Sequence, residues 1–298
     1  MKKEIIPGFS KNQLVELIDR LGGEDAVWKL LSGRFRIKIE DQIVIDQNGC
    51  FVPLPGLSVC EYENTFLPPK KIYDYESRLD NFSRSFPGLA PSLDEYHQTT
   101  KDLVRSLKLD PVLKNLLHGL WLPIILPNIQ IVFSENGEGR DYGEVLEAIF
   151  LKEVGMAYQR MFPDKTFCSV YDLKNKTSII DNGHKILLEK MAKKYVVCLI
   201  FFPFRGFSFN AAQSFVRLLP ENFILPGPIG IMTAQTLFPD VLLSSSSVTF
   251  QCGATVANLN NNYTLYSYVN HQTGSFVYTK SDTSQLDEKL CTGLIYTG

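Results

Sequence analysis

The sequence predicts a mixed α/β protein, and three observations carry that prediction. Between residues 119 and 219, short apolar runs of strand length alternate with stripes of helical spacing. That order marks a central, parallel-type β/α layered core with crossover helices. Period-two segments close the chain, where residues 263–270 and 275–280 flank the hairpin-length loop 271–274. The first 58 residues read as a small module of two helices followed by an antiparallel hairpin.

Taken in order, Ser10 precedes Leu14, Val15, Leu17, Ile18 and Leu21, an apolar stripe opened by an N-cap and stopped by Gly22 and Gly23. A second helix over about 25–31 stops at Gly33, and period-two alternation over 34–40 begins strand structure. Residues 42–46 and 50–54 flank Asn48-Gly49, a pair that supplies the positive φ of a tight turn. From 59 to 90 the periodicity fades into a connector whose aromatics, Tyr62, Phe66, Tyr73, Tyr75, Phe82 and Phe86, suggest that it lies against the protein surface. Residues 91–298 form the main domain. Ser92 caps a helix to about 107, with Glu95 placed for a capping box, and a short helix follows Pro111. Strands are expected over 121–133, 166–171 and 195–202, helices over 142–162, 184–194, 209–219 and 231–237, and a last strand over 290–296.

A chain of 298 residues can bury a sizeable core without a metal or disulfide staple. Thirty basic against 32 acidic residues leave a net charge of −2, which argues against nucleic acid or anionic lipid as partner. Lys190, Lys193 and Lys194 close a helix, where cations offset its dipole. The N-terminus has no apolar run of signal length and no stretch reaches membrane-spanning length, so neither export nor a membrane partner is expected. Six cysteines without a Cys-x-x-Cys pair read as free thiols in the cytoplasm, with Cys168 and Cys198 in strands expected to be buried.

Ligands of wound sheets collect where strands end. That rule selects the loops 134–141, 172–181 and 204–209, with Ser134, Arg205 and Ser208 as ligand-binding candidates and Glu135 and Asp172 as candidate acid–base carboxylates. The plainer reading makes Ser208 an N-cap and the charges cross-loop salt bridges. Asn136-Gly137-Glu138-Gly139 lacks the spacing of a phosphate loop, and its acidic surroundings repel phosphate. Cys252 with His184 or His271 as base is a three-residue likeness to cysteine nucleophiles, and an idle buried thiol is the expectation. The four histidines show no metal-ligand spacing, so neither metal nor cofactor is expected. Tyr266 and Tyr268 share one face of a strand, and Phe276 and Tyr278 can share a face of the next. Such rings could stack on sugars or bases, though core packing is the expected role.

Leu219-Pro220-Glu221-Asn222-Phe223 with Leu225 and Gly227, and the ending Thr292-Gly293-Leu294-Ile295-Tyr296-Thr297-Gly298, resemble uncharacterised bacterial proteins over the last third of the chain. That resemblance brings no assigned activity. The residues point first to a soluble, non-catalytic binding or interaction protein whose partner is a protein or a small polar ligand. The alternative is a small-molecule hydrolase or transferase with Glu135 or Asp172 as base and Arg205 holding an anion.

Overall fold

A computed structural model of the chain describes residues 10–34, 43–60, 74–129, 141–169, 172–243, 249–256, 263–270, 273–284, 286 and 289–298. The chain divides into two compact units, residues 1–42 and 43–298. The first is a helical hairpin of α1 (Lys11–Arg20) and α2 (Gly23–Leu31). Ser10 opens it with a complete capping box, its hydroxyl accepting the Gln13 N–H while the Gln13 side chain accepts the Ser10 N–H at 2.8 Å. Gly22 at φ 95° turns the chain between the helices, in a conformation that costs glycine little. The strand expected over 34–40 lies almost wholly outside the described residues.

The second unit carries helices α3 (Tyr75–Ser85), α4 (Leu93–Leu109), α5 (Tyr142–Val145), α6 (Leu151–Met161), α7 (Asn182–Met191), α8 (Phe209–Val216), α9 (Pro228–Leu237) and α10 (Pro239–Leu242). One turn of π-helix, Leu146–Phe150, joins α5 to α6. The strands are β1 (Trp121–Leu126), β2 (Phe167–Ser169), β3 (Ser178–Ile179), β4 (Val196–Arg205), β5 (Phe223–Ile224), β6 (Thr249–Gln251), β7 (Thr255–Val256), β8 (Tyr263–Val269), β9 (Phe276–Asp282) and β10 (Leu290–Tyr296). Eight of them make one mixed sheet in the order β1-β4-β10-β6-β8-β9-β2, with β5 beside β10, while β3 and β7 pair separately. The α/β class is the one the sequence predicts.

Strand order departs from the expected succession. β1 and β4 pair antiparallel, and β2 lies at the opposite edge, parallel to β9. A strand buried on both faces reads as a continuous apolar run whichever way its neighbours point, so the pattern over 196–205 foretold burial and carried no direction. Pro203 sits within β4 where the β10 register shifts between Thr292 and Leu294, a bulge that tolerates a residue with no N–H. Pro123 is on the edge strand β1.

Two layers cover the β1–β4–β10 half of the sheet. On one face the core gathers Phe82 of α3, Phe150, Tyr158 of α6 and the wholly buried α9. On the other, Leu103 and Leu107 of α4 meet Phe215 of α8 and the hairpin residues Ile45 and Phe51. The Phe51 ring lies 4.6 Å from Phe215 and 4.9 Å from Phe204, so the hairpin packs directly on the large unit's sheet. Gly49 holds φ 74°, and a Cβ there would come within 2.3 Å of the Gly119 nitrogen. Within the expected connector, residues 75–85 are helical: Asp74 caps α3, and Arg78, Phe82 and Ser85 turn one face inward. Phe82 and Phe86 belong to the core, whereas Tyr62, Phe66 and Tyr73 lie outside the described residues.

Candidate functional site

Two of the three strand-end loops come together. Asp141 caps α5 by accepting the Glu144 N–H at 2.8 Å, and its other oxygen accepts the Asn175 N–H. Glu147 accepts the Leu173 N–H, and Lys174 Nζ lies 2.9 Å from Glu144. These carboxylates fasten the loop after β2 onto the start of the 142–161 helix. Asp172 is exposed at φ 89°, and Lys176, which bonds its carboxylate, holds the carboxyl below the usual range. Ser134, Glu135, the Asn136–Gly139 turn and His271 lie outside the described residues.

The third loop stands apart. Arg205 ends β4 opposite Cys291 and is 5% exposed. Lys280 of β9 donates to the Asp172 carbonyl, and four strand spacings separate β9 from β4, about 19 Å across the sheet. Ser208 is the α8 N-cap, accepting the Ala211 N–H at 3.2 Å while its own N–H donates to the Ser58 carbonyl.

The half-buried Tyr142 meets both His184, through a hydrogen bond, and Cys252, through an electrostatic interaction. The His184 Nδ1 accepts the Gly227 N–H at 3.3 Å, which leaves the ring proton on Nε2, 3.2 Å from the Tyr142 hydroxyl. Burial pushes the His184 imidazole down to about 4 and the Cys252 thiol upward. A neutral imidazole and a protonated, fully buried thiol are the reverse of an activated nucleophile pair. All six cysteines are free; Cys198 is buried as expected, but Cys168 is exposed, because its edge strand β2 is covered poorly.

Strand register divides the four rings. Ser267 opposes Tyr278 and Val269 opposes Phe276, so those two rings enter the core, whereas Tyr266 and Tyr268 share the other face with Thr279 and Val277. Lys190 reaches Thr297 and Lys194 lies over the Tyr195 ring, as befits a solvated helix end. Among the described residues no three metal-ligating side chains cluster, and no helix is long and apolar enough to cross a membrane.

A larger site lies on the outer side of α4. Ser92 caps this helix, and Tyr96, Thr100, Leu103 and Leu107 face inward at helical spacing. The Tyr96 hydroxyl donates to the Pro123 carbonyl at 2.6 Å, and the Glu95 carboxylate accepts the Tyr195 hydroxyl rather than completing the capping box. Thr100 and the adjacent stripe border a groove of about 1000 Å³. Leu117 and Trp121 line it on the apolar side, and the Tyr75 ring stands 4.8 Å from His97.

Charge is sorted along this groove. Asp74, Glu76 and Asp94 lie at one end, where the first turns of α3 and α4 converge. Lys101, Arg105 and Lys108 follow along α4. Lys101 and Arg105 are exposed, four residues apart on one face, and among the described residues neither is in an ion pair. Like charges at that spacing repel, so the helix gains nothing from them locally. The signal in the sequence was the stripe His97, Lys101, Arg105 and Lys108, whose meaning depends on walls supplied by residues 74–76, 117 and 121. No family profile, curated protein or solved structure matches the chain.

Proposed function

We propose that this is a non-catalytic binding protein that receives its ligand in the α4 groove. The observation that carries the reading is the coincidence of a ligand-sized groove, an aromatic and apolar wall, and charges of both signs that are in no ion pair among the described residues. The hydrolase or transferase reading has less support, because the Asp172 carboxylate is bonded to Lys176 and lies several strands from the buried Arg205. Six free thiols favour a cytoplasmic location.

Thermal-shift screening against a metabolite and peptide library tests this. A ligand at a hundred times its dissociation constant stabilises the folded state by about 2.7 kcal/mol. Val104 is half-buried on the groove wall, and Val104→Trp should obstruct the groove beside Lys101 and Arg105. Ligands that raise the wild-type midpoint should leave the variant unmoved, with both proteins melting alike when unliganded. Hits that stabilise both proteins equally would move the site elsewhere.

A further inference from the structure

We infer that the occupant of the α4 groove is an extended, dipolar peptide segment, basic at one end and acidic at the other, an inference that rests on the groove being the binding site. The acidic end of the groove has partial local explanations: Asp74 caps α3, and Asp94 and Glu76 sit in first turns, where carboxylates favour the helix dipole. Lys108 likewise suits the last turn of α4. Lys101 and Arg105 have no such role, being mid-helix, exposed and outside any ion pair among the described residues. Their natural counterpart is an anion on the ligand, and the three carboxylates at the other end ask for a cation on the same ligand.

The spacing sets the size of that ligand. Asp94 and Arg105 are eleven positions apart on α4, about 16 Å along the helix axis. An extended chain covers that distance in about five residues. The side chains of Leu117, Trp121 and Val104 line the same groove with apolar surface, which suits uncharged, apolar residues in the segment. A free amino acid is too short to reach both ends, and a polyanion meets repulsion from Asp74, Glu76 and Asp94.

The test uses Trp121 fluorescence in the full chain carrying Trp28→Phe, which removes the other of the two tryptophans. The probe is a capped eight-residue peptide with two lysines, four apolar residues and two glutamates. Its controls are an isomer with the charges alternating along its length and an analogue with all four charges as glutamate. The dipolar peptide should bind roughly tenfold or more tightly than either control, since it gains charge pairs at both ends over the alternating isomer and exchanges repulsion for attraction at the acidic end over the all-glutamate analogue. Lys101→Ala combined with Arg105→Ala should cut the preference over the alternating isomer severalfold, leaving only the part that the acidic end supplies, while the circular-dichroism melt of this surface variant stays that of the parent. Equal binding of the alternating isomer, or a preference over it that the double substitution leaves unchanged, overturns the peptide assignment. So does the absence of any response to all three peptides. In those cases the groove itself is judged separately, by whether Val104→Trp abolishes the thermal shifts of non-peptide ligands.

Discussion

Acidification from pH 7 to pH 4 should remove about 3 kcal/mol of stability through one side chain, His184, whose imidazole burial pushes down from an unfolded value of 6.5 to about 4. Between those two values the unfolded chain binds a proton that the folded chain refuses. The contribution is therefore fully present above pH 6.5 and is lost as pH falls toward 4. The ring cannot relax toward solvent, because a Cβ on Gly227 would already stand 2.4 Å from its Nε2, and Tyr142 closes the same side. Asp181 caps α7 by accepting the His184 N–H at 2.7 Å, and burial raises its carboxyl, which gives a pH dependence of opposite sign. Comparing wild type with His184→Gln isolates the imidazole. Urea unfolding at pH 7, 5.5 and 4 should show the variant less stable at pH 7 and with a shallower decline below 6.5. Parallel declines in the two proteins would place the proton uptake elsewhere.

Arg78→Ala should cost about 3 kcal/mol, the second large effect expected here. Arg78 leaves α3 to meet the end of α9, donating to the Leu237 carbonyl at 3.1 Å and to both Asp240 oxygens at 2.6 and 2.8 Å, with its guanidinium 4.5 Å from the centre of the Phe238 ring. Removing it strands the Asp240 carboxylate and leaves the Leu237 carbonyl with the Asn81 amide, which donates to it at 3.2 Å. The Asp240 side chain is 42% exposed, so water recovers part of the loss and keeps the cost at the low end for a broken buried pair. Arg78→Lys should recover less than half, because an ammonium reproduces neither the planar fork nor the ring contact. Chemical denaturation measures both variants. A loss below about 1 kcal/mol for the alanine variant would show that the clamp adds little to α3 docking.

Much of the fold was legible where local chemistry decides it. Ser10 with Gly22 bounded α1, Ser92 opened α4, and Asn48-Gly49 marked the turn between Ile45 and Phe51. Alternation identified β8 and β9, but only register could reveal that Tyr266 and Tyr278 face opposite sides. Strand direction was hidden because β4 is apolar on both faces. Helix α3 was missed because its inward stripe includes an arginine, whose burial depends on Asp240, 162 residues away. The groove was hidden for a similar reason: α4 displays half of it in sequence, and the walls arrive from α3, the turn near Leu117 and β1. The loops around Asp141 and Asn175 do meet, as the strand-end rule suggested, while Arg205 lies beyond its reach.

The central claim is that ligand binds along α4, and a crystal structure with a stabilising ligand tests it most directly. The account predicts density running from the Asp74 and Asp94 end of the groove, past Trp121, to Lys101 and Arg105, with those two cations contacting an anionic group. Density beside Asp172 or at the Arg205 end of β4, with the α4 groove containing only water, would contradict it.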